Sequence, residues 1–226
     1  MDKEQYIIQS WQANAGNWIR LIESGGIESR KSVTNKAIVQ TILTANPSFV
    51  FDIGCGEGWL AKELSDAGIA VSGIDIIPEL IEKAKEKVKG NFFVASYEDI
   101  YSYTLKMRLS KLFDAIVINF ALIGKESSED LLASLPHYLL PEGKLFIQTL
   151  HPCTRKELND YVTGWKQEGW NGLGDQFVLP YEWYFRTMED WLQLLDRSGF
   201  GKIQITETTH PQSGQLLSVI FECNVK

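Results

Sequence analysis

Cysteine, histidine and methionine are scarce in this chain, with three of each among 226 residues. Cys55, Cys153 and Cys223 are odd in number, far apart and without metal-ligand spacing. That excludes a disulfide framework and gives no zinc pattern, so free thiols in a reducing compartment are expected. No long apolar run occurs either. The most apolar stretch, residues 115–123, is much too short to span a bilayer. The opening MDKEQYIIQSW lacks the apolar core and small-residue cleavage site of a secretory signal, and a cytoplasmic protein is expected. Positive charge is also in short supply. Lys and Arg number 22 against 29 Asp and Glu, for a formal charge of −7 and a pI near 5.1. This balance disfavours nucleic acid as a partner, because phosphate binding needs clustered cations. The nearest basic stretches, KSVTNK and LKMRLSK, read as solvated faces. Internal repeats, linkers and low-complexity tracts are absent. What remains is an ordinary globular composition, 44% hydrophobic and 23% charged, at a length suited to one domain with elaborations.

The informative stretch is Phe49 to Asp75. Two runs rich in β-branched residues, FVFDI and IAVSGID, flank an amphipathic segment with Leu60, Leu64 and Ala67 at helical spacing. Gly68 fits as its C-terminal cap. The pattern is strand, glycine turn, helix, strand, and a right-handed crossover makes the two strands parallel neighbours. Ligands bind such sheets beyond the carboxyl ends of the strands, where Asp52 and Asp75 fall.

The turn itself carries alternating glycines, Gly54, Gly56 and Gly58, directly after an acidic strand end. A dinucleotide fingerprint would place its last glycine where Trp59 stands. Asp52 would also repel a pyrophosphate. An acidic strand end beside backbone free of β-carbons suits a ligand with a positive amine and no phosphate. Asp75 is placed to accept hydrogen bonds from both hydroxyls of a ribose. S-adenosylmethionine has these groups: a ribose, an ammonium, a sulfonium and no phosphate.

DIGCGEG followed by GID resembles the cofactor signature of class I S-adenosylmethionine-dependent methyltransferases. The resemblance covers Phe49 to Leu150 firmly and the last strands by pattern. It implies an α/β fold with a doubly wound, seven-stranded, mostly parallel sheet ending in a C-terminal antiparallel hairpin. It also implies S-adenosyl-L-methionine as cofactor and S-adenosyl-L-homocysteine as product. The cofactor contacts it implies fall at Asp52, Gly54, Cys55, Gly56, Asp75, Ile76, Asn119 and Phe120. Such enzymes usually read the adenine amino group with an acidic or amide residue after the third strand. Ser96 occupies that position here, which leaves the reading to Ser96, Tyr97 or Glu98.

The rest of the chain divides around this core. Residues 1–46 form a helical cap, with Trp11, Ala15, Trp18, Ile19 and Ile22 on one stripe and Gly25-Gly26 as a break. A second helix is expected over 33–45, capped by Ser32 or Thr34. Arg30 stands between the two, within reach of the carboxylate of a bound amino acid. Residues 47–150 are the cofactor-binding core. A helix opened by Ser127 or Ser128 and kinked at Pro136 is expected to reach Leu140, with a turn over Pro141 to Lys144 before the fifth strand. Residues 151–186 show no periodicity but interleave glycines with aromatic residues, and are expected to form a lid over the substrate pocket. Residues 187–226 read as a helix capped by Thr187 and two antiparallel strands.

Methyl transfer from a sulfonium requires alignment and exclusion of water more than acid–base help. The sole well-placed base is His151, the first residue past the fifth strand, which either takes a proton or caps the strand. The expected acceptor is a small molecule, methylated on O, N or C. No Asn-Pro-Pro-Tyr-like motif follows the fourth strand, which disfavours adenine or glutamine amides. No membrane partner is expected and the oligomeric state is open. Two other functions remain compatible with the sequence: a non-catalytic S-adenosylmethionine-binding or regulatory module, and a nicotinamide-dependent oxidoreductase.

Overall fold

A computed structural model describes residues 2–109, 111–156, 159–167 and 169–226. Strands β1 (Phe49–Ile53), β2 (Ala70–Asp75), β3 (Asn91–Val94), β4 (Phe113–Asn119) and β5 (Leu139–Leu150) pair in parallel, in the order β3-β2-β1-β4-β5. The terminal hairpin, β8 (Phe200–Thr209) and β9 (Leu216–Val225), completes a seven-stranded sheet with β9 antiparallel to β5. A helix cannot form in the six-residue connection His210 to Gln215, so reversal of direction is the only short route.

Side chains alternate across this sheet, and each face has its own cover. Val50, Val71, Ala115, Val117, Phe146 and Ile220 pack beneath α2 (Asn35–Ala45), α3 (Trp59–Asp66) and α4 (Pro78–Lys87). Phe51, Ile53, Ile116, Ile118, Leu145, Ile147 and Phe221 face α6 (Glu126–Ser134) and α7 (Met188–Arg197), with the short α5 (Tyr97–Tyr101). Burial on both faces explains why β4 reads as an almost unbroken apolar run.

Helix α1 (Lys3–Glu23) lies outside these two layers. Ala15 with Trp11, Trp18 and Ile19 packs on Ile76, Ile77 and Leu80, at the carboxyl end of β2 and the start of α4. The tryptophan stripe thus places α1 over the end of the sheet where ligands bind.

Four local expectations are corrected. The second helix is already helical at Glu28 and contains a π turn over Arg30–Thr34, so neither Ser32 nor Thr34 caps it. Ser127 and Ser128 do not cap α6. Its free N–H groups are taken by the Glu4 carboxylate from α1, which accepts from Lys125 N (2.6 Å) and Ser127 N (3.2 Å). That helix stops at Ser134, a 3-10 turn spans Leu135–Tyr138, and Leu139 already pairs with Phe113. Residues 141–144 therefore lie inside β5, where a register shift absorbs them and Glu142 takes a left-handed φ of 66°.

The described residues of 151–186 are also more ordered than their lack of periodicity suggests. A two-stranded antiparallel sheet pairs β6 (Gly164–Gln167) with β7 (Glu182–Phe185). Trp170 is buried between them against Trp11, Trp18, Phe177 and Tyr181. A polar stripe on α1 staples the same segment: Ser10 accepts from Trp170 Nε1 (2.7 Å) and donates to Leu179 O, and Asn14 exchanges two bonds with the Val178 backbone. The cap and the proposed lid form one packed unit.

Candidate active site

The carboxyl ends of β1, β2 and β4 converge on the glycine turn. Gly54 (φ 71°), Gly56 (φ 56°) and Gly58 (φ 83°) all adopt left-handed backbone, which explains the residue type. Their surroundings differ. A β-carbon on Gly58 would lie 2.9 Å from the Ala84 Cα, so that glycine lets α4 approach. One on Gly54 would lie 2.5 Å from the Ala121 Cβ. One on Gly56 would meet nothing within 4 Å, so this is where the backbone opens onto space.

Three carboxylates surround that opening. Asp75, at the end of β2, accepts from Gly56 N (3.0 Å) and Ile77 N (2.9 Å), and so fixes the turn against the strand. Burial pushes its carboxyl up to about 6, partly opposed by those two N–H groups. Asp52 is 1% exposed and its Oδ2 has no hydrogen-bond partner. Burial, then Asp75 and Glu57, push it up to about 8. Glu57, within the turn itself, is also 1% exposed; its Oε1 makes no hydrogen bond and lies 3.8 Å from Lys87 Nζ. Cys55, between them, is a buried thiol pushed well up by burial and these carboxylates, which makes it a poor nucleophile.

Arg30 sits above this acidic floor, at the start of the π turn. Its guanidinium lies 5.2 Å from the Trp18 ring, 5.5 Å from Trp59 and 5.7 Å from Phe120. Burial lowers its pKa and Glu57 opposes that shift. π turns are enriched at functional sites because they turn one side chain out of helical register. Phe120 follows β4 with a φ of 55°, a conformation disfavoured for a side chain of that size, and donates from its backbone N to Gln148 O (2.8 Å). Asn119, the last residue of β4, has a buried Oδ1 without a partner.

After β3, the Ser96 hydroxyl is occupied. It forms a capping box with Asp99 at the start of α5, accepting from Asp99 N and donating to Asp99 Oδ2. Tyr97 points into the crevice instead, and its hydroxyl donates to Ala121 O (2.8 Å). Burial, then Asp75 and Asp52, push that phenol up. Ile76 is half-buried between the crevice and α1. Sequence reasoning thus gathered Arg30, Asp52, Gly54, Cys55, Gly56, Asp75, Ile76, Tyr97, Asn119 and Phe120 around one crevice. It passed over Glu57, Trp18 and Trp59 as site residues. Nothing in the sequence singles out Glu57, Trp18 reads as part of a packing stripe, and Trp59 reads only as the residue that breaks a dinucleotide fingerprint.

His151 lies further along the edge. Its ring is fully buried, Nδ1 accepts from Cys153 N (3.1 Å), and Nε2 is 2.8 Å from Glu207 Oε1. With Nδ1 accepting a backbone N–H, the proton belongs on Nε2, which donates to Glu207. Both nitrogens are engaged.

The residues present fit a nucleoside that carries positive charge. Asp52, Glu57 and Asn119 each bury an acceptor that lacks a donor, and Gly56 leaves the space above the turn open. A diphosphate would meet this acidic floor instead of a donor-lined cradle.

Comparison with known proteins agrees. The fold is similar to a crystal structure of the plantazolicin methyltransferase BamL, with a TM-score of 0.67 and 19% identity over 100% of this chain and 97% of that one. It is likewise similar to an S-adenosylmethionine-dependent methyltransferase from Mesorhizobium loti, with a TM-score of 0.64 and 18% identity over 83% and 95% of the two chains. A family model described as a methyltransferase domain matches residues 29–205, and the chain belongs to that family. Among curated relatives, a malonyl-[acyl-carrier protein] O-methyltransferase of Halalkalibacterium halodurans is 30% identical over 117 residues, 50% of this chain. A ubiquinone biosynthesis O-methyltransferase of Rickettsia canadensis is 23% identical over 155 residues, 66% of this chain. The chain spans 43% of the first relative and 64% of the second, less than two thirds of either. Among the described residues no helix is long and apolar enough to cross a membrane, and no cluster of His, Cys, Asp and Glu forms a metal site.

Proposed function

We propose that this protein transfers the methyl group of S-adenosylmethionine to a small-molecule acceptor by in-line displacement. The observation that supports this reading best is the pair of buried acids at the strand ends. Asp52 Oδ2 lacks a hydrogen-bond partner, and Asp75 already braces the glycine turn. When bound, the cofactor supplies an electrophilic methyl on a positively charged sulfur. Asp75 holds the ribose hydroxyls, with lone pairs left over from its two backbone bonds. Ile76 and Tyr97 flank the base, and the backbone of Ser96 and Tyr97 is available to its amino group because the Ser96 side chain serves the helix cap. Arg30 binds the amino-acid carboxylate, and Asn119 and Phe120 line the methyl.

The acceptor side lies under residues 151–186. Tyr184 N donates to Ile123 O (2.8 Å), which ties β7 to the loop that follows Phe120. A separate cleft of about 520 Å³ opens between α1 and the β6–β7 segment, lined by Lys3, Tyr6, Gln167, Asn171, Tyr181 and Glu182; none of these is a residue of the glycine-turn crevice, and Lys3 pairs with Glu182 at 2.8 Å. Of the two roles open to His151, its engaged nitrogens favour capping of the strand end. The protein then aligns the acceptor and excludes water, and an acceptor of low enough pKa arrives already deprotonated.

Transfer of isotopically labelled methyl from S-adenosylmethionine to a panel of phenols, carboxylic acids, their thioesters and amines tests this reading. The expected result is label in one small-molecule class together with S-adenosylhomocysteine. Cofactor binding without transfer to any member, under saturating acceptor, would favour a binding module.

A further inference from the structure

Helix α6 opens without a cap of its own. The position before it is Lys125, whose side chain makes no capping bond, and the donors at the helix start are met from outside. Glu4, in the first turn of α1, accepts from Lys125 N (2.6 Å) and Ser127 N (3.2 Å), across 121 and 123 positions of sequence. A β-carbon on Gly124 would lie 2.7 Å from Glu4 Oε1, so the glycine is what admits the carboxylate. Order at this end of the loop between β4 and α6 therefore depends on α1 being docked.

Arg186, the residue after β7, holds the other side. Its Nη1 donates to Gly124 O (3.4 Å) and its Nη2 to Lys125 O (3.1 Å), with Glu129 as counter-ion at 3.2 Å. The peptide between Gly124 and Lys125 thus has a carboxylate at its N–H and a guanidinium at its carbonyl, and the two charges orient one dipole. Lys3 and Glu182 pair at 2.8 Å, which joins α1 to β7 directly. From this grip the loop runs back through Ile123, whose carbonyl accepts from Tyr184 N, and Ala121, whose carbonyl accepts from the Tyr97 hydroxyl. It ends at Phe120 with its left-handed φ of 55°, a conformation that persists only where the surroundings over-determine it.

Resting on the methyltransferase reading, we infer that Glu4 and Arg186 are positioning residues: by gripping one peptide from two sides they place the loop that carries Phe120, and they make that placement conditional on α1 and β7 being docked on the core. Among the described residues neither bonds to the groups around the glycine turn. Asp75, Arg30 and the glycine turn belong to elements that the grip does not hold. Glu4 also lies about 21 Å along α1 from Trp18, so its loss leaves the packing beside Arg30 in place. Release of the grip lowers the rate of transfer and spares cofactor affinity, because alignment at the methyl is lost while the nucleoside stays bound.

The test combines three measurements on the parent, Glu4→Ala, Glu4→Gln and Arg186→Lys: calorimetry with S-adenosylhomocysteine, steady-state transfer of labelled methyl to the best acceptor among the phenols, carboxylic acids, thioesters and amines, and backbone hydrogen exchange. Glu4→Ala is expected to lower kcat about tenfold, with KM for S-adenosylmethionine and affinity for S-adenosylhomocysteine within about twofold of the parent. Exchange should rise at residues 121–127. Glu4→Gln keeps an acceptor oxygen and should recover most of the rate. Arg186→Lys keeps the charge without the planar fork and should lose rate as Glu4→Ala does; the two together should cost little more than either, because both hold the same peptide. Glu4 is only partly buried, so its variants decide the matter even where Arg186→Lys, with its buried charge, fails to fold. An unchanged kcat in folded Glu4→Ala would overturn the inference alone, as would cofactor affinity that falls in step with the rate. A parent that binds S-adenosylhomocysteine and transfers methyl to no acceptor would overturn the methyltransferase reading, and the inference with it.

Discussion

Neutralising Asp52 should make the ligand-free protein more stable and its cofactor complex weaker. The carboxyl is buried without a partner for Oδ2 and is pushed up to about 8 from 3.8, first by burial and then by Asp75 and Glu57. A folded-state value above the unfolded one means the contribution to stability is complete below pH 4 and is lost as pH rises through 8. Asp75, pushed up to about 6 chiefly by burial, acts in the same direction and loses its contribution earlier. At roughly 1.4 kcal/mol per unit, keeping Asp52 protonated at pH 7 costs at most about 4 kcal/mol relative to the unfolded chain. Local relaxation and water entry lower that ceiling, and about 2 kcal/mol is the expected gain for Asp52→Asn. With an unfolding entropy of about 0.5 kcal/mol/K for a chain of this length, the gain corresponds to roughly 4 °C. Thermal unfolding from pH 5 to 9, with and without S-adenosylhomocysteine, measures it. The parent's Tm should fall more steeply than the variant's between pH 6 and 8, and the ligand should raise the parent's Tm more than the variant's. Parallel pH profiles, or a variant less stable than the parent at pH 8, would refute the picture of an unpaired buried acid.

Other outcomes follow from neighbouring residues. Asp75→Asn should weaken S-adenosylhomocysteine by roughly 10- to 100-fold, the loss of charge-assisted bonds to a ribose, as read by calorimetry. Gly58→Ala should destabilise the fold by about 1–3 kcal/mol through its clash with Ala84, while Gly56→Ala should cost only about 1–2 kcal/mol of backbone strain but greatly weaken cofactor binding. Chemical denaturation and ligand titration on the same two variants separate the effects. His151→Ala should lower the denaturation midpoint without changing the shape of the pH–rate profile, whereas a lost ionisation in that profile would restore it as a base. Trp170→Ala should destabilise the protein by about 3 kcal/mol and raise hydrogen exchange in residues 169–185 and the facing turns of α1 together; exchange confined to the lid would contradict their common packing.

Much of this was legible in the residues. Strands β1, β2, β4 and β5 declare themselves by β-branched or continuously apolar runs, and the glycines between Asp52 and Trp59 mark the crevice because backbone close to a ligand has few alternatives. The terminal hairpin follows from two strand patterns with no room for a helix between them. What stayed hidden depends on contacts distant in sequence. Glu4 caps α6 from more than a hundred residues away, so Ser127 and Ser128 read as the nearest caps. Arg186, fully buried, binds Gly124 O, Lys125 O and Glu129 and so joins the end of β7 to the start of α6, which no local pattern indicates. Strands β6 and β7 are four residues each and gain their register from each other, which leaves too short a stretch for periodicity to register. Glu57 looks like a turn residue until its burial is known.

Calorimetric titration with S-adenosylhomocysteine, S-adenosylmethionine and NAD on the parent and on Asp75→Asn tests the central claim most directly. The expected result is binding of both sulfur nucleosides with one site per chain, sharply weakened in Asp75→Asn, and no binding of NAD. NAD binding in place of the sulfur nucleosides, or equal affinity in the parent and the variant, would contradict the account.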